Sequence, residues 1–179
     1  MRRLDYILRD WRYRIVEPYI PEECEILDIG GFDGSFLRQI YHKINKGVCI
    51  DPLIEGKKDG KIEFIKHRIL DKIPFPDSSF DVVTMLAVYE HLSNRELITA
   101  EVFRILKDNG CVLLTIPSSK VDFLLKLLLK IRLIDGISTE EHKHFDVSNT
   151  VKIFEMCGFK FKKWSKFQIG LNNLFIFEK

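Results

Sequence analysis

The sequence predicts an α/β fold with a mostly parallel sheet covered by helices on both faces. Short apolar runs recur without polar alternation, as strands buried on both faces require. Segments of helical spacing separate them, which is the order that builds parallel crossovers. Near the end the pattern changes to two neighbouring strands joined through Gly170 and Asn172-Asn173, an antiparallel hairpin added at the sheet edge.

Taken in order, Asp5 to Tyr19 reads as an amphipathic helix ended by Pro18 and Pro21. Glu25 to Ile29 is a short apolar strand. Ser35 to Ile44 has helical spacing, with Phe36, Leu37, Ile40 and Ile44 on one face. Strands follow at Gly47–Asp51, Ile62–Arg68 and Phe80–Leu86. Ser93 opens the next helix with a capping box to Glu96, and Asn109-Gly110 stops that helix after about Lys107. Cys111–Pro117 is a fifth strand, Ser148–Met156 a helix stopped by Gly158, and Phe159–Ile169 and Asn173–Lys179 form the hairpin. No repeat, low-complexity tract or linker divides the 179 residues, so one domain spanning 1–179 is expected, with an N-terminal helix over 1–22.

Composition excludes some functions. The net charge is only +2, so no field of the whole chain draws it to nucleic acid. Basic residues do crowd the N-terminus (Arg2, Arg3, Arg9, Arg12, Arg14) and a late segment (Lys160, Lys162, Lys163, Lys166), either as solvated surface or as a site for an anion or lipid headgroup. Cys24, Cys49, Cys111 and Cys157 are scattered, and the apolar runs around Cys49 and Cys111 predict buried free thiols. Met1 is followed by charges rather than a signal peptide, so a reduced, cytoplasmic compartment is expected.

In open parallel sheets ligands sit beyond the C-terminal ends of the strands, where the strand order reverses. The first strand leaves through Asp28-Ile29-Gly30-Gly31-Phe32-Asp33-Gly34, small residues that let a ligand approach backbone amides at a helix start. The dinucleotide spacing G-x-G-x-x-G is absent, which argues against a nicotinamide dehydrogenase. Asp51 closes the second strand, where a carboxylate can accept from both hydroxyls of a ribose.

On these residues the chain resembles the class I S-adenosylmethionine-dependent methyltransferases of the small-molecule type 11/12-like sort. Asp28 to Gly34 is similar to that family's D-[ILV]-G-C-G-x-G. Ile73–Leu92, "IPFPDSSFDVVTMLAVYEHL", resembles its more specific L-P-F-P-D-x-S-F-D motif followed by E-H-[LV]. "LKDNGCVLLTIPS" is similar to its fifth strand, and "EHKHFDVSNTVKIFEMCGFK" to its late E-H-x-x-x-[FY] and G-F elements. The resemblance implies a Rossmann-like three-layer α/β/α sandwich with a seven-stranded sheet. It also implies S-adenosyl-L-methionine as cofactor, with S-adenosyl-L-homocysteine as product. The cofactor-binding residues it indicates are Asp28, Gly30, Gly31, Phe32, Gly34, Asp51, Pro52, Arg68, Ile69 and Leu86.

Two departures stand out. Phe32 replaces the family's middle glycine, which costs roughly 1–2 kcal/mol if the position needs positive φ, unless the turn relaxes and the ring packs along the methionine moiety. The acid that often follows the third strand is replaced by His67 or Arg68, with Asp71 further on, leaving the adenine to backbone groups and to stacking on Leu53 or Ile69. Both departures keep a second reading open, a degenerate binding or scaffold domain without activity.

For chemistry, His91, His142 and His144 are candidate bases or substrate ligands. Against that, Glu90 and His91 can anchor the following helix, and His142 and His144 can be loop residues. No further ligands at zinc spacing accompany the two later histidines, so no metal is expected. Asp28 is read as cofactor support, and Arg12 or Arg14 either as exposed helix residues or as reaching the cofactor carboxylate. The segment 121–134 is apolar around most of its circumference, apart from the stripe of Asp122, Lys126 and Lys130. It is too short to span a bilayer. It is either sandwiched between other elements or part of a lid-like insertion over 118–146, which would touch the acceptor, a membrane surface or a second copy in a homodimer. The expected acceptor is a small molecule, glycan or lipid-linked compound methylated at oxygen. A nucleic-acid acceptor is disfavoured because "LAVYEHL" lacks the D/N-P-P-Y arrangement.

Overall fold

The computed structural model describes residues 3–118, 147 and 149–179. In chain order they form α1 (Arg3–Val16), β1 (Cys24–Ile29), α2 (Ser35–Gln39), β2 (Ile44–Asp51), β3 (Lys57–Asp59), β4 (Ile62–Lys66), β5 (Phe80–Leu86), α3 (Arg95–Ile105), β6 (Leu106–Pro117), α4 (Asn149–Met156), β7 (Lys160–Phe167) and β8 (Asn172–Glu178). The sheet order is β3-β4-β2-β1-β5-β6-β8-β7. β4, β2, β1, β5 and β6 run parallel, whereas β8 is antiparallel to both β6 and β7.

Among the described residues eight strands rather than seven make the sheet. The addition is β3, three exposed residues antiparallel to β4. Its sequence, Lys57-Lys58-Asp59, has neither apolar alternation nor β-branched residues to announce a strand.

Successive side chains of a strand point to opposite faces, and the core divides accordingly. Ile26, Val82 and Leu113 pack with Val16 of α1 and Phe36 and Leu37 of α2. Leu27, Val83 and Leu114 pack with Ile98 and Val102 of α3 and Phe154 of α4. Phe154 also stacks on Phe177 of β8 with ring centroids 4.0 Å apart, tying the hairpin to this second layer. The result is the helix–sheet–helix sandwich.

Several boundaries differ from the expected ones. α2 stops at Gln39, because Ile44 is drawn into the ladder opposite Cys24 instead of completing the helix face. Ser93 forms no capping box. Asn94 precedes α3 without a side-chain cap, and its amide donates to the Leu70 carbonyl at 3.2 Å. α3 ends at Ile105 and β6 begins at once. Phe80 pairs with Leu106 but Val82 with Cys111, so residues 107–110 bulge out of the ladder. Asn109 (φ 64°) makes that bulge, and Lys107 bridges it back to Glu25 at 2.8 Å and Asp81 at 3.1 Å. At the hairpin, Asn172 and Asn173 belong to β8 and the reversal is carried by Gln168, Ile169 and Gly170, all with positive φ. Cys49 is buried as expected, but Cys111 is partly exposed, and all four thiols are free.

The most specific stretch of the sequence has a structural role. Arg104 of α3 grips Glu101 through two nitrogens at 2.9 and 2.7 Å. It donates to the Ile73 and Phe75 carbonyls at 3.0 and 2.8 Å and to Asp77 at 2.8 Å. Phe75 meets Phe80 edge-on at 4.9 Å. The Pro-Phe-Pro-Asp loop is thus clamped onto α3 and delivers β5 into the sheet centre. Among the described residues no helix is long and apolar enough to cross a membrane.

Candidate active site

β1 is flanked by β2 on one side and β5 on the other, so chain connections leave it in opposite directions and open a crevice beyond its C-terminal end. Three loops meet there: the glycine loop after β1, the Asp51 corner after β2 and the exit from β5.

The Gly30 amide donates to the Ile50 carbonyl at 2.7 Å, tying the glycine loop to β2. Gly30 has φ 74°, and a Cβ there would lie 2.4 Å from Val88 Cγ2, so the loop also abuts the β5 exit. A Cβ on Gly31 would fall 2.3 Å from Asp28 Oδ2 and 2.8 Å from Cys49 Sγ. The small residues therefore bring three strands' ends together as well as leaving room for a ligand. Gly34 is the left-handed residue before α2. Phe32 keeps φ 44°, so the turn does not relax around it. Its side chain is 53% exposed and leaves the crevice open.

Asp51 is buried and faces the loop. Its Oδ2 accepts from the Phe32 amide at 3.2 Å and its Oδ1 from the Leu53 amide at 2.8 Å. A carboxylate offers about four lone-pair sites, so two acceptor directions remain. Around it Pro52 and Ile69 are half-buried, Leu53 and Arg68 are exposed, and the His67 amide donates to the Asp51 carbonyl at 3.3 Å.

Asp28 is fully buried on the α1/α2 side. Thr84 of β5, its partner in register, donates to Oδ1 at 2.7 Å, while Oδ2 has no hydrogen-bond partner. Burial pushes the carboxyl up to about 7, against the Thr84 hydrogen bond and with help from the nearby charges of Asp51 and Asp33. Leaving a buried acceptor unsatisfied costs about 1–3 kcal/mol.

The β5 exit runs from half-buried Leu86 through Ala87 (φ 59°) and Val88 into a short helical turn, Tyr89–His91. The Tyr89 hydroxyl meets Thr99 at 3.0 Å inside the core, and Arg95 donates to the Tyr89 and Glu90 carbonyls at 3.1 and 2.6 Å. Glu90 is buried with Oε2 unpartnered. Burial raises its carboxyl to about 7, opposed by its own backbone hydrogen bond and by the charges of Arg12 and Arg95. His91 is at the surface, with Nε2 4.0 Å from Glu90 Oε1. Over this end lies α1. Its Arg9 reaches Ser35 at 3.2 Å and Asp33 at 3.6 Å, and Tyr13 packs on Phe36 at 5.2 Å.

Asp28, Gly30, Gly31, Phe32, Gly34, Asp51, Pro52 and Leu86 all line or adjoin the crevice, with Arg68 and Ile69 just beyond the β4 exit. His142 and His144, like the apolar segment 121–134, lie outside the described residues. One participant, Thr84, escaped the sequence reading. Thr84 is a lone hydroxyl in an apolar strand, and its register opposite Asp28 was the available signal. Glu90, read as a residue that can anchor the following helix, gives its carbonyl to Arg95 and has a buried carboxyl whose Oε2 is unpartnered. Arg12 turns inward with Nε buried, whereas Arg14 is exposed.

The donor set fits a nucleoside carrying an amino-acid tail: acceptor sites at Asp51 for a sugar, an orphaned buried oxygen at Asp28 for an ammonium, and close backbone between them. Among the described residues no group of three or more His, Cys, Asp and Glu is placed to hold a metal.

Residues 27–114 match the family described as a methyltransferase domain. The chain is similar, at 34% identity over 110 residues, to a protein of Encephalitozoon cuniculi named as a methyltransferase, covering 59% of this chain and 51% of that one. It is 31% identical over 102 residues to the ubiquinone/menaquinone biosynthesis C-methyltransferase of Stutzerimonas stutzeri, covering 49% and 40% respectively. Among solved structures, a SAM-dependent methyltransferase of Methanosarcina mazei superposes with a TM-score of 0.64 at 26% identity, covering 92% of this chain and 96% of the other. Residues 27–114 are thus similar to methyltransferase domains, and the chain shares the fold of S-adenosylmethionine-dependent methyltransferases. It spans about half the length or less of these two curated relatives.

Proposed function

We propose that the chain binds S-adenosylmethionine across the ends of β2, β1 and β5 and transfers its methyl group to a small-molecule, glycan or lipid-linked acceptor at oxygen. The observation that carries this reading is the pair of acids on either side of the glycine loop, Asp51 with free acceptor directions and Asp28 with an unpartnered buried oxygen.

In this reading Asp51 takes the ribose hydroxyls. Pro52, Arg68 and Ile69 border the base, and the Gly30–Gly31 backbone lies along the ligand. Asp28 Oδ2 accepts from the ammonium of the tail, and Phe32 covers the outer side. The sulfonium supplies an activated methyl group. The protein's task is then mainly alignment, since positioning supplies much of the acceleration of such displacements. Leu86 lies at the methyl end of the crevice. His91, at its mouth and beside Glu90, takes the proton of a hydroxyl acceptor. His142 and His144 are further candidates for that role, and the insertion over 118–146 is the proposed lid on the acceptor.

Phe32 at positive φ and the exposed Arg68 in place of an adenine acid favour the second reading, a domain that no longer binds the cofactor. Calorimetry with S-adenosylhomocysteine separates the two. A transferase gives a binding isotherm that Asp51→Ala weakens by about tenfold or more, and absence of heat with the wild-type chain would leave only the scaffold.

A further inference from the structure

We propose that the outer face of α1 and the adjoining edge of β7 form a docking surface for an anionic lipid bilayer, with Ile169 at the hairpin tip as its apolar anchor. This goes beyond the transferase reading and does not depend on it.

The two basic clusters of the sequence, far apart along the chain, come together in the fold. α1 lies alongside the hairpin and is tied to it at both ends. Near its start the Leu8 carbonyl accepts from the Gln168 amide at 2.7 Å. Just past its end the Lys163 ammonium donates to the Tyr19 hydroxyl at 2.6 Å and lies over that ring. Lys160, Lys162, Lys163 and Lys166 are exposed along β7, and Arg14 of α1 adds another exposed cation. Acids of the same segments are engaged elsewhere. Asp10 lies on Arg9 at 3.2 Å, Glu17 accepts from Gln39 of α2 at 2.6 Å, and Glu178 holds Lys162 at 3.0 Å.

Lysines on an edge strand by themselves only discourage other strands from pairing. They do not explain the apolar residues set among them. Ile7 and Trp11 stand one turn apart on the outer face of α1, 60% and 41% exposed, and Arg14 continues the same stripe. Ile169 is 95% exposed and has φ 59°. A β-branched residue is disfavoured in left-handed backbone, where asparagine or glycine would serve the turn better. The tip projects freely, since a Cβ on Gly170 would meet nothing within 4 Å. An apolar side chain so placed gains burial only from something outside the fold.

The position of this surface gives it a use. β8 is antiparallel to both β6 and β7, so β7 runs with β6 and the tip lies at the C-terminal end of the parallel strands. There the Leu171 carbonyl accepts from the Ser118 amide at 2.8 Å, just beyond β6. The docking surface therefore borders the crevice mouth and would hold that mouth beside the lipid.

Charge and chemistry select the occupant. A helix lying in the bilayer interface turns tryptophan and aliphatic residues to the acyl boundary and basic residues to anionic headgroups, which is the arrangement here. A second copy docked by two-fold symmetry would set lysines against lysines. Nucleic acid would satisfy the cations and leave Ile169 in water.

The test is sedimentation of the full chain with vesicles of equal parts phosphatidylcholine and phosphatidylglycerol, against vesicles of phosphatidylcholine alone. Wild-type protein is expected to bind the first about tenfold or more tightly, and high salt should release it. Ile169→Asn suits the left-handed backbone, so the fold is kept while vesicle binding weakens about tenfold. Lys160→Gln and Lys166→Gln weaken it about fivefold each. The chain's two tryptophans are Trp11 and Trp164. Emission should shift to the blue with anionic vesicles and lose most of that shift in Trp11→Phe. Failure to pellet, equal binding to both vesicles, or unchanged binding in the Ile169 and lysine variants would overturn the proposal. So would pelleting without a blue shift that heparin reverses, which marks a site for soluble polyanions. A wild-type dimer that Ile169→Asn dissociates in light scattering would also overturn it, in favour of contact between copies. Calorimetry with S-adenosylhomocysteine is scored separately, so either reading can fall while the other stands.

Discussion

The Asp51 carboxylate accepts the amide of Phe32 at 3.2 Å, so the acid closing β2 and the most strained residue of the glycine loop form one hydrogen-bonded unit. Each shapes the other. The acid holds a phenylalanine in left-handed backbone, and the loop amide turns the acid toward the crevice.

Replacing Asp51 with Ala therefore has two effects. The Phe32 and Leu53 amides lose their acceptor, which destabilises the fold by about 1–3 kcal/mol in urea titration. Affinity for S-adenosylhomocysteine drops by about tenfold or more. Unchanged affinity in a folded variant would remove Asp51 from the ribose site.

Phe32→Gly relieves a positive φ that costs roughly 1–2 kcal/mol in an L-residue, against about 0.5–1 kcal/mol of added backbone entropy in the unfolded chain. The exposed ring gives up little burial. A net gain of about 0.5–1 kcal/mol in stability is expected from the urea midpoint. A loss would show that the ring contributes packing beyond its visible contacts.

Asp28 and Glu90 carry a pH signature. Both titrate near 7 in the folded chain, against 3.8 and 4.5 as ordinary values. Between those limits the folded protein keeps protons that the unfolded chain has lost. Their stabilising contribution is thus full below about pH 4 and disappears as pH rises through 7. Thermal melts of Asp28→Asn should show a flatter decline from about pH 5 to about pH 8 and a higher Tm than wild type at the alkaline end. A wild-type slope in the variant would assign the effect elsewhere.

Arg104→Ala unclamps the Ile73–Asp77 loop from α3. The Ile73 and Phe75 carbonyls lose a charged donor and Glu101 loses its fork, for an expected cost of about 2 kcal/mol. A change within about 0.5 kcal/mol in the urea midpoint would mean that the Phe75–Phe80 contact alone holds the loop.

The parallel strands were legible because burial on both faces leaves an unbroken apolar run, and β5 lies at Phe80–Leu86 as read. Asp51 was legible as the acid that closes such a run, but its grip on the Phe32 and Leu53 amides was not. Helix ends were less so. Ile44 suits a helix face and a strand equally, and pairing with Cys24 decided for the strand. Ser93 offers a good cap in isolation, but the chain path set by Arg95, which grips the Tyr89 and Glu90 carbonyls, starts the helix one residue after Asn94. For Arg12 the sequence left two readings open, exposed on the helix or turned toward the site. Whether an arginine of an amphipathic helix points in or out depends on what the helix covers, and what it covers here comes from residues near 30 and 90.

β8 is the last strand in sequence yet lies between β6 and β7, and β7 reaches the sheet only through it. A cut in the turn at 168–171 followed by loss of the β8 segment would strand β7 and bare the backbone edge of Val112, Leu114 and Ile116. Such an apolar, unpaired margin recruits other chains, so a shortened product should precipitate rather than persist as a smaller working version.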